Sequence, residues 1–145
     1  MLATETAPAG ELETLTNILA GNAVFTAVGG GERYTYKLYI AKTGKLKGVV
    51  QVRLLTGPNN VDDYEEIGQF DANGVLILTG HVSHKPNSVG FIRWLVALAR
   101  AGKPIPTGVE IHHAGYCLRC GRLLTVPYPQ NPYRIYGLGP ECGSK

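Results

Sequence analysis

Apolar and polar residues alternate along five segments between residues 22 and 78, and these segments are rich in Val, Ile, Thr, Tyr and Phe. Glycine, asparagine and proline separate the segments and supply the special backbone angles that tight turns need. Short turns join neighbouring antiparallel strands. The pattern therefore predicts an antiparallel meander with strands at 22–28, 33–40, 47–55, 64–70 and 74–78.

Alternation also predicts which side chains of the second and third strands face the core, because successive side chains point to opposite faces. The predicted buried set is apolar or aromatic and comprises Tyr34, Tyr36, Leu38, Ile40, Val50, Val52 and Leu54. The opposite face carries Arg33, Lys37, Tyr39, Gln51 and Arg53. This second set combines cations with an aromatic ring on one exposed surface.

Helical periodicity predicts two helices that flank the meander. Residues 11–19 place leucines and an isoleucine on one side, and Gly21 ends that segment. Residues 88–101 form the clearer helix, with Phe91, Trp94, Leu95 and Leu98 on an apolar side that is predicted to cover the sheet, so Trp94 is predicted to be a core residue. The predicted fold class is α+β: an antiparallel β-meander covered by a helix, followed by a C-terminal Cys3His zinc knuckle.

The knuckle is predicted from the three cysteines of the chain. Cys117 and Cys120 form a CxxC pair, and Cys142 follows a Gly-Pro turn. A CxxC pair lets two thiolates bind one tetrahedral ion, and Gly121 permits the backbone to turn around it. The alternative is three unliganded thiols, or one disulfide with a thiol left over. The spacing favours a structural Zn²⁺ site without an open position for water, so it predicts no catalysis there.

The fourth ligand is predicted to be His113, with His112 as the alternative. Three residues lie between His113 and Cys117, which is enough chain for a turn that brings both side chains to one metal.

The motif His-Ala-Gly-Tyr-Cys-Leu-Arg-Cys-Gly-Arg-Leu-Leu-Thr at 113–125, with Gly-Leu-Gly-Pro-Glu-Cys at 137–142, resembles a zinc-binding module of uncharacterised bacteriophage and prophage proteins. Upstream segments, including Asp-Tyr-Glu-Glu-Ile-Gly at 63–68 and Phe-Ile-Arg-Trp at 91–94, resemble longer members of that family. The resemblance implies His113 as the histidine ligand and a phage protein as the source. The segment 128–133 departs from the family pattern as a short insertion, and the resemblance implies no established activity.

Length and composition limit the number of domains that the chain can form. The 145 residues, 44% of them hydrophobic, support one core. We predict a core domain at 1–109 and a zinc-binding module at 110–145 that is packed on it or appended to it. The longest apolar run is too short to span a bilayer, and the thiolate ligands suit a reducing compartment, so a cytoplasmic location in a host cell is predicted and no membrane partner.

Charge is unevenly distributed although the net charge is only +3. Residues 33–53 contain six basic residues and no acidic residue. Alternating charged blocks are often simply solvated faces, but cations beside an aromatic ring also suit single-stranded nucleic acid. The predicted nucleic-acid-binding residues are Arg33, Lys37, Tyr39 and Arg53 on the sheet, with Arg119, Arg122 and Arg134 around the zinc loop.

A second function class is a protein-binding factor that inhibits or redirects a host enzyme or defence complex. Its predicted anchors are Tyr128, Tyr133 and Tyr136 in a proline-rich loop, since tyrosine is common at protein interfaces. Catalysis ranks last, because no nucleophile with a matching base stands out. The sequence thus predicts a nonenzymatic zinc protein that binds nucleic acid, with a host or phage protein as the alternative partner.

Overall fold

The structure is a computed structural model, and it describes residues 10–57, 63–71, 73–79, 86–113, 116–121 and 130–144. Its seven strands form one antiparallel sheet with the spatial order β1-β7-β2-β3-β4-β5-β6. The strands are β1 Gly10–Glu11, β2 Asn22–Gly29, β3 Glu32–Ile40, β4 Val50–Leu55, β5 Tyr64–Phe70, β6 Leu76–Leu78 and β7 Glu110–His113.

The meander predicted from alternation is confirmed, since β2 to β6 lie side by side in chain order. Burial confirms the predicted faces of β3 and β4. Tyr36, Leu38 and Val52 are fully buried, whereas Tyr39 and Arg53 on the opposite face are exposed.

Strand β7 was not predicted, and it returns the chain after the long helix to the sheet, one strand in from the β1 edge. It pairs with β2 on one side and with the two-residue strand β1 on the other. Ile111 and His113 are buried and alternate with the exposed Glu110 and the partly buried His112, but four positions are too few for the pattern to be recognised in sequence. The first residues of the predicted zinc module therefore belong to the main sheet.

The predicted helix at 11–19 is wrong. Strand β1 occupies Gly10–Glu11, and a 3₁₀ helix occupies Thr16–Leu19 without a side-chain cap. Leu12, Leu15 and Ile18 are nevertheless buried in the main core, although only Ile18 lies within the 3₁₀ helix.

The long helix α1 spans Pro86–Arg100, and a short helix α2 spans Pro140–Gly143. Ile92, Leu95 and Val96 of α1 belong to the same buried cluster as the strand residues, and the Tyr36 hydroxyl donates a hydrogen bond to the carbonyl of Ser88 at 2.7 Å. Among the helices of the described segments, none has the length and apolar character to cross a membrane.

The prediction that Trp94 is a core residue is wrong, since 45% of its surface is exposed. The buried stripe of α1 runs through Ser88, Ile92, Leu95 and Val96. This stripe is rotated from the predicted one, and the large apolar residues at 91 and 94 lie at its margin. Phe91 and Trp94 instead pack on each other, with ring centroids 6.1 Å apart.

Candidate metal centre and basic surface

Three thiols meet at the C-terminal end of the chain. The sulfur atoms of Cys117, Cys120 and Cys142 all lie within 4.8 Å of one another, and none of the three forms a disulfide. In tetrahedral zinc–thiolate sites, Zn–S bonds of about 2.3 Å put neighbouring sulfurs roughly 3.8 Å apart. The donor set and its spacing therefore fit a metal ion.

Local backbone geometry explains how the first two thiols converge. The amide of Gly121 donates to the carbonyl of Cys117 at 2.9 Å, which closes a turn over the CxxC pair. Gly121 has a φ of 81°, a left-handed conformation that glycine adopts without steric cost. The predicted role of Gly121 in turning the chain is consistent with this geometry.

The third thiol is brought in by α2. The Arg119 side chain donates from Nη1 to the carbonyl of Cys142 at 3.1 Å, and so connects this helix to the CxxC turn. The segments 116–121 and 130–144, which carry the three thiols, are called the knuckle below. Cys117 and Leu138 are buried together, with Tyr133 and Cys142 packed against them. Cys117 and Cys142 thus belong to a small apolar cluster, whereas Cys120 is exposed.

The pKa values of Cys117 and Cys142 are shifted in opposite directions. Burial raises the pKa of Cys117, but hydrogen bonds to its sulfur outweigh burial and hold that pKa below an ordinary thiol's; they come from the backbone at Cys120, Gly139 and Arg119 and from the Cys120 side chain. Burial, together with hydrogen bonds and charge from the other two cysteines, raises the pKa of Cys142 to about 11. One thiolate opposes ionisation of the next, and a bound cation would relieve that repulsion.

Neither histidine candidate is in the thiol group formed by the described residues. His113 is buried on β7, opposite Gly10 and Phe25, on the core side of the sheet. His112 points to the other side, where its Nε2 lies 2.9 Å from Oε1 of Glu110. The fourth ligand stays a prediction.

Backbone hydrogen bonds join the knuckle to the N-terminal half of the chain. Leu118 is fully buried in the main core, and its carbonyl accepts from the Asn22 amide at 2.8 Å. The Glu13 amide donates to the carbonyl of Ile135 at 2.8 Å, and the Asn17 side chain donates to the carbonyl of Tyr136 at 2.9 Å. The knuckle is therefore held in place by β2 and by the segment that contains the 3₁₀ helix Thr16–Leu19.

Gly137 tests how tightly the knuckle is packed. Its φ is 78°, and a Cβ there would lie 2.6 Å from Cδ1 of the buried Leu118. Gly44 has a similar φ of 87° but open space around it. We expect Gly137→Ala to destabilise the protein by about 2–4 kcal/mol because strain and overpacking add, and Gly44→Ala by roughly 1 kcal/mol. Urea denaturation measures both, and equal losses would contradict the packing described.

On the outer face of the sheet, five side chains line a depression of about 270 Å³, here called the basic depression: Asn22, Lys37, Tyr39, Gln51 and Arg53. Strand register brings them together, because Tyr39 lies between Asn22 of β2 and Gln51 of β4. Three of the predicted nucleic-acid-binding residues, Lys37, Tyr39 and Arg53, are in this set.

Two cations face each other in the basic depression. Lys37 and Arg53 are direct cross-strand partners, an arrangement that is unfavourable for like charges. Arg53 is also register partner of Glu66, and the Lys37 ammonium lies 5.8 Å from the centre of the Tyr64 ring. Within the described segments, however, the ion pair found is His112–Glu110, so neither cation is paired with a carboxylate.

The other predicted binding residues lie elsewhere. Arg33 is exposed four positions along β3 from Lys37, outside the basic depression. Tyr133 packs on the thiol cluster, and 37% of Tyr136 is exposed. Arg122, Tyr128 and the Arg134 side chain lie outside the described part of the structure.

Asn22 is the site residue that sequence reasoning missed. Its side chain lines the basic depression and donates to the carbonyl of Arg119 at 2.7 Å, while its Cβ lies close to Gly121. This one residue therefore connects the depression with the knuckle. Its position after Gly21 at the start of a strand was visible, but its contact 97 residues away was not.

Comparison of the chain with protein-family models, curated proteins and solved structures finds no match. The resemblance to phage zinc-binding proteins accordingly stays a hypothesis.

Proposed function

We propose that this protein is a nonenzymatic zinc-binding module that binds single-stranded nucleic acid through the basic depression and the adjoining knuckle. The proposal rests on Lys37 and Arg53, which lie opposite each other on neighbouring strands beside the exposed ring of Tyr39. Neither cation forms an ion pair with a carboxylate among the described residues.

Zinc is the metal that the donor set favours. Three thiolates are soft ligands, and sites of the Cys3His type are closed tetrahedra that stabilise a fold. His113 is proposed as the fourth ligand because His112 is engaged with Glu110 on the opposite face of the sheet. A closed site of this kind stabilises the fold and catalyses no reaction.

The charge arrangement supports an anionic ligand. Opposed cations repel across a strand pair, and an anion between them converts that repulsion into attraction. A phosphate provides this charge. Tyr39, which is 42% exposed, offers a flat ring on which an unpaired base can stack.

The knuckle extends this surface. Asn22 links the depression to Arg119, whose guanidinium is held at Cys142. Zinc binding would fix the position of that arginine relative to Lys37 and Arg53. The proposed surface therefore depends on the metal without using it for chemistry.

Tyr39→Ala is expected to weaken binding of a single-stranded oligonucleotide about fivefold to tenfold and to leave duplex binding nearly unchanged, because stacking contributes about 1 kcal/mol or more only where bases are unpaired. Fluorescence anisotropy with labelled oligonucleotides measures both. Tyr39→Phe should retain single-strand affinity, since its ring still stacks, and Tyr136→Ala should have no effect. Equal weakening of single-stranded and duplex binding would show that Tyr39 does not stack on a base.

The protein-binding alternative gives a different result. In that case neither DNA nor RNA would bind at low salt, and a host or phage protein would be retained in a manner that depends on Tyr128, Tyr133 or Tyr136. The partial exposure of Tyr136 fits that function, whereas the packing of Tyr133 on the thiol cluster gives it a structural role.

A further inference from the structure

A second concave site lies on the face of the sheet opposite to the basic depression. It has a volume of about 610 Å³, and its lining includes Glu32, Asn87, Gly90, Phe91, Trp94 and Gly108. This volume is in the usual range for ligand sites. We call it the Trp94 groove.

Gly90 is unusual for its position in the groove. Glycine within a helix is less stable than alanine, and it is normally retained where packing leaves no room for a side chain. Apart from its chain neighbours and the backbone of its own helix, a Cβ on Gly90 would have no atom within 4 Å. Packing therefore does not require glycine here, and its effect is to leave open space on the first turns of α1.

Trp94 borders this space. Residues 87, 90 and 94 follow one stripe of a helix, and side chains in helices lean toward the N-terminal turn. The half-exposed indole of Trp94 therefore lies along the side of α1 that Gly90 leaves open, and Phe91 supports it. The groove has an aromatic wall that is accessible to solvent.

Among the described residues that line the groove, Glu32 is the only one with a charged side chain. Glu32 accepts a hydrogen bond at Oε1 from the Asn87 side chain at 2.8 Å. This donor is uncharged, so it does not neutralise the carboxylate, which has acceptor positions left. Glu32 has no ion pair in the described part of the chain.

We propose that the Trp94 groove binds an arginine side chain of a partner peptide. A guanidinium is planar and cationic, so it stacks on an indole face and donates two parallel hydrogen bonds to a carboxylate. Gly30, Gly90 and Gly108 border the groove with open space where a side chain would be, which leaves room for the peptide backbone of the partner.

Trp94 is the single tryptophan of the chain, so its fluorescence reports on the groove directly. Titration of the zinc-loaded protein with acetyl-Gly-Arg-Gly-amide is expected to give a saturable fluorescence change in the millimolar range or tighter. The matched peptide with citrulline, which is neutral and nearly isosteric, should bind at least about tenfold more weakly.

Variants locate the site. Glu32→Gln should weaken arginine-peptide binding about tenfold, whereas Glu65→Gln, which removes an exposed carboxylate outside the groove, should not change it. Gly90→Leu should abolish binding while retaining the fold, because its side chain would occupy open space. Single-stranded nucleic-acid binding should be unchanged in all three variants, since the basic depression lies on the other face. No saturable response, or equal affinity for the arginine and citrulline peptides, would overturn the proposal.

Discussion

Replacing Cys117, Cys120 or Cys142 with serine is expected to abolish zinc binding, whereas the wild-type protein should carry about one zinc per chain. The three sulfur atoms already lie within 4.8 Å of one another, and loss of one leaves an incomplete tetrahedron with a poor hydroxyl donor. Elemental analysis of protein purified under reducing conditions measures this directly. Wild-type protein that contains no zinc would contradict the proposed metal site.

The histidines provide a matched pair for the same measurement. His113→Ala should reduce zinc affinity more than His112→Ala, because His112 is engaged with Glu110 on the opposite face of the sheet. Competition with a metal chelator measures the zinc affinity of both variants. The reverse order would make His112 the fourth ligand.

Metal removal should also lower the stability of the whole chain. A ligand held at a thousand times its Kd stabilises the native state by about 4 kcal/mol, which corresponds to roughly 10–15 °C for a protein of this size. If residues 110–145 were only appended to the core domain, chelation would unfold them and leave the meander at least partly folded. Leu118 in the main core and β7 in the main sheet favour a shift of the entire transition instead. If residues 1–109 and 110–145 instead unfolded in two separate thermal transitions after chelation, the predicted domain boundary between residues 109 and 110 would be supported.

The meander was predictable because its strands are long enough for alternation to show which face is buried. Lys37, Tyr39 and Arg53 could be assigned to one surface for the same reason. Strand β7 could not be predicted, because four residues are too few for a pattern and its place between β1 and β2 depends on contacts distant in sequence.

Trp94 shows the limit of periodicity in a helix. At about 100° per residue, Ile92 and Trp94 lie on nearly opposite sides of α1, and the structure buries Ile92. The hydrogen bond from the Tyr36 hydroxyl to the carbonyl of Ser88 joins β3 to α1, and no local sequence pattern encodes such a contact. Likewise, the CxxC spacing predicted the thiols, but the connection from Arg119 through Asn22 to the basic depression required the folded chain.

Reversing both opposed cations, Lys37→Glu together with Arg53→Glu, is expected to weaken single-stranded nucleic-acid binding by about 100-fold or more at low salt. Two charge-assisted contacts of about 1.5 kcal/mol or more each would be lost and replaced by repulsion. Lys45→Glu with Lys47→Glu is the matched control, since it changes net charge equally at exposed positions outside the depression. This control should weaken binding only slightly.

The salt dependence of binding tests the central claim most directly. With about four phosphate contacts, the logarithm of the wild-type association constant should fall against the logarithm of salt concentration with a slope of roughly −3, because each contact releases condensed counterion. Loss of two contacts should bring the slope of the Lys37/Arg53 variant to roughly −1.4, while the Lys45/Lys47 control keeps the wild-type slope. Anisotropy titrations of zinc-loaded protein with one labelled oligonucleotide at several salt concentrations supply all three slopes. Equal slopes for the two double variants, or no binding by the wild type at low salt, would contradict nucleic-acid recognition through the basic depression.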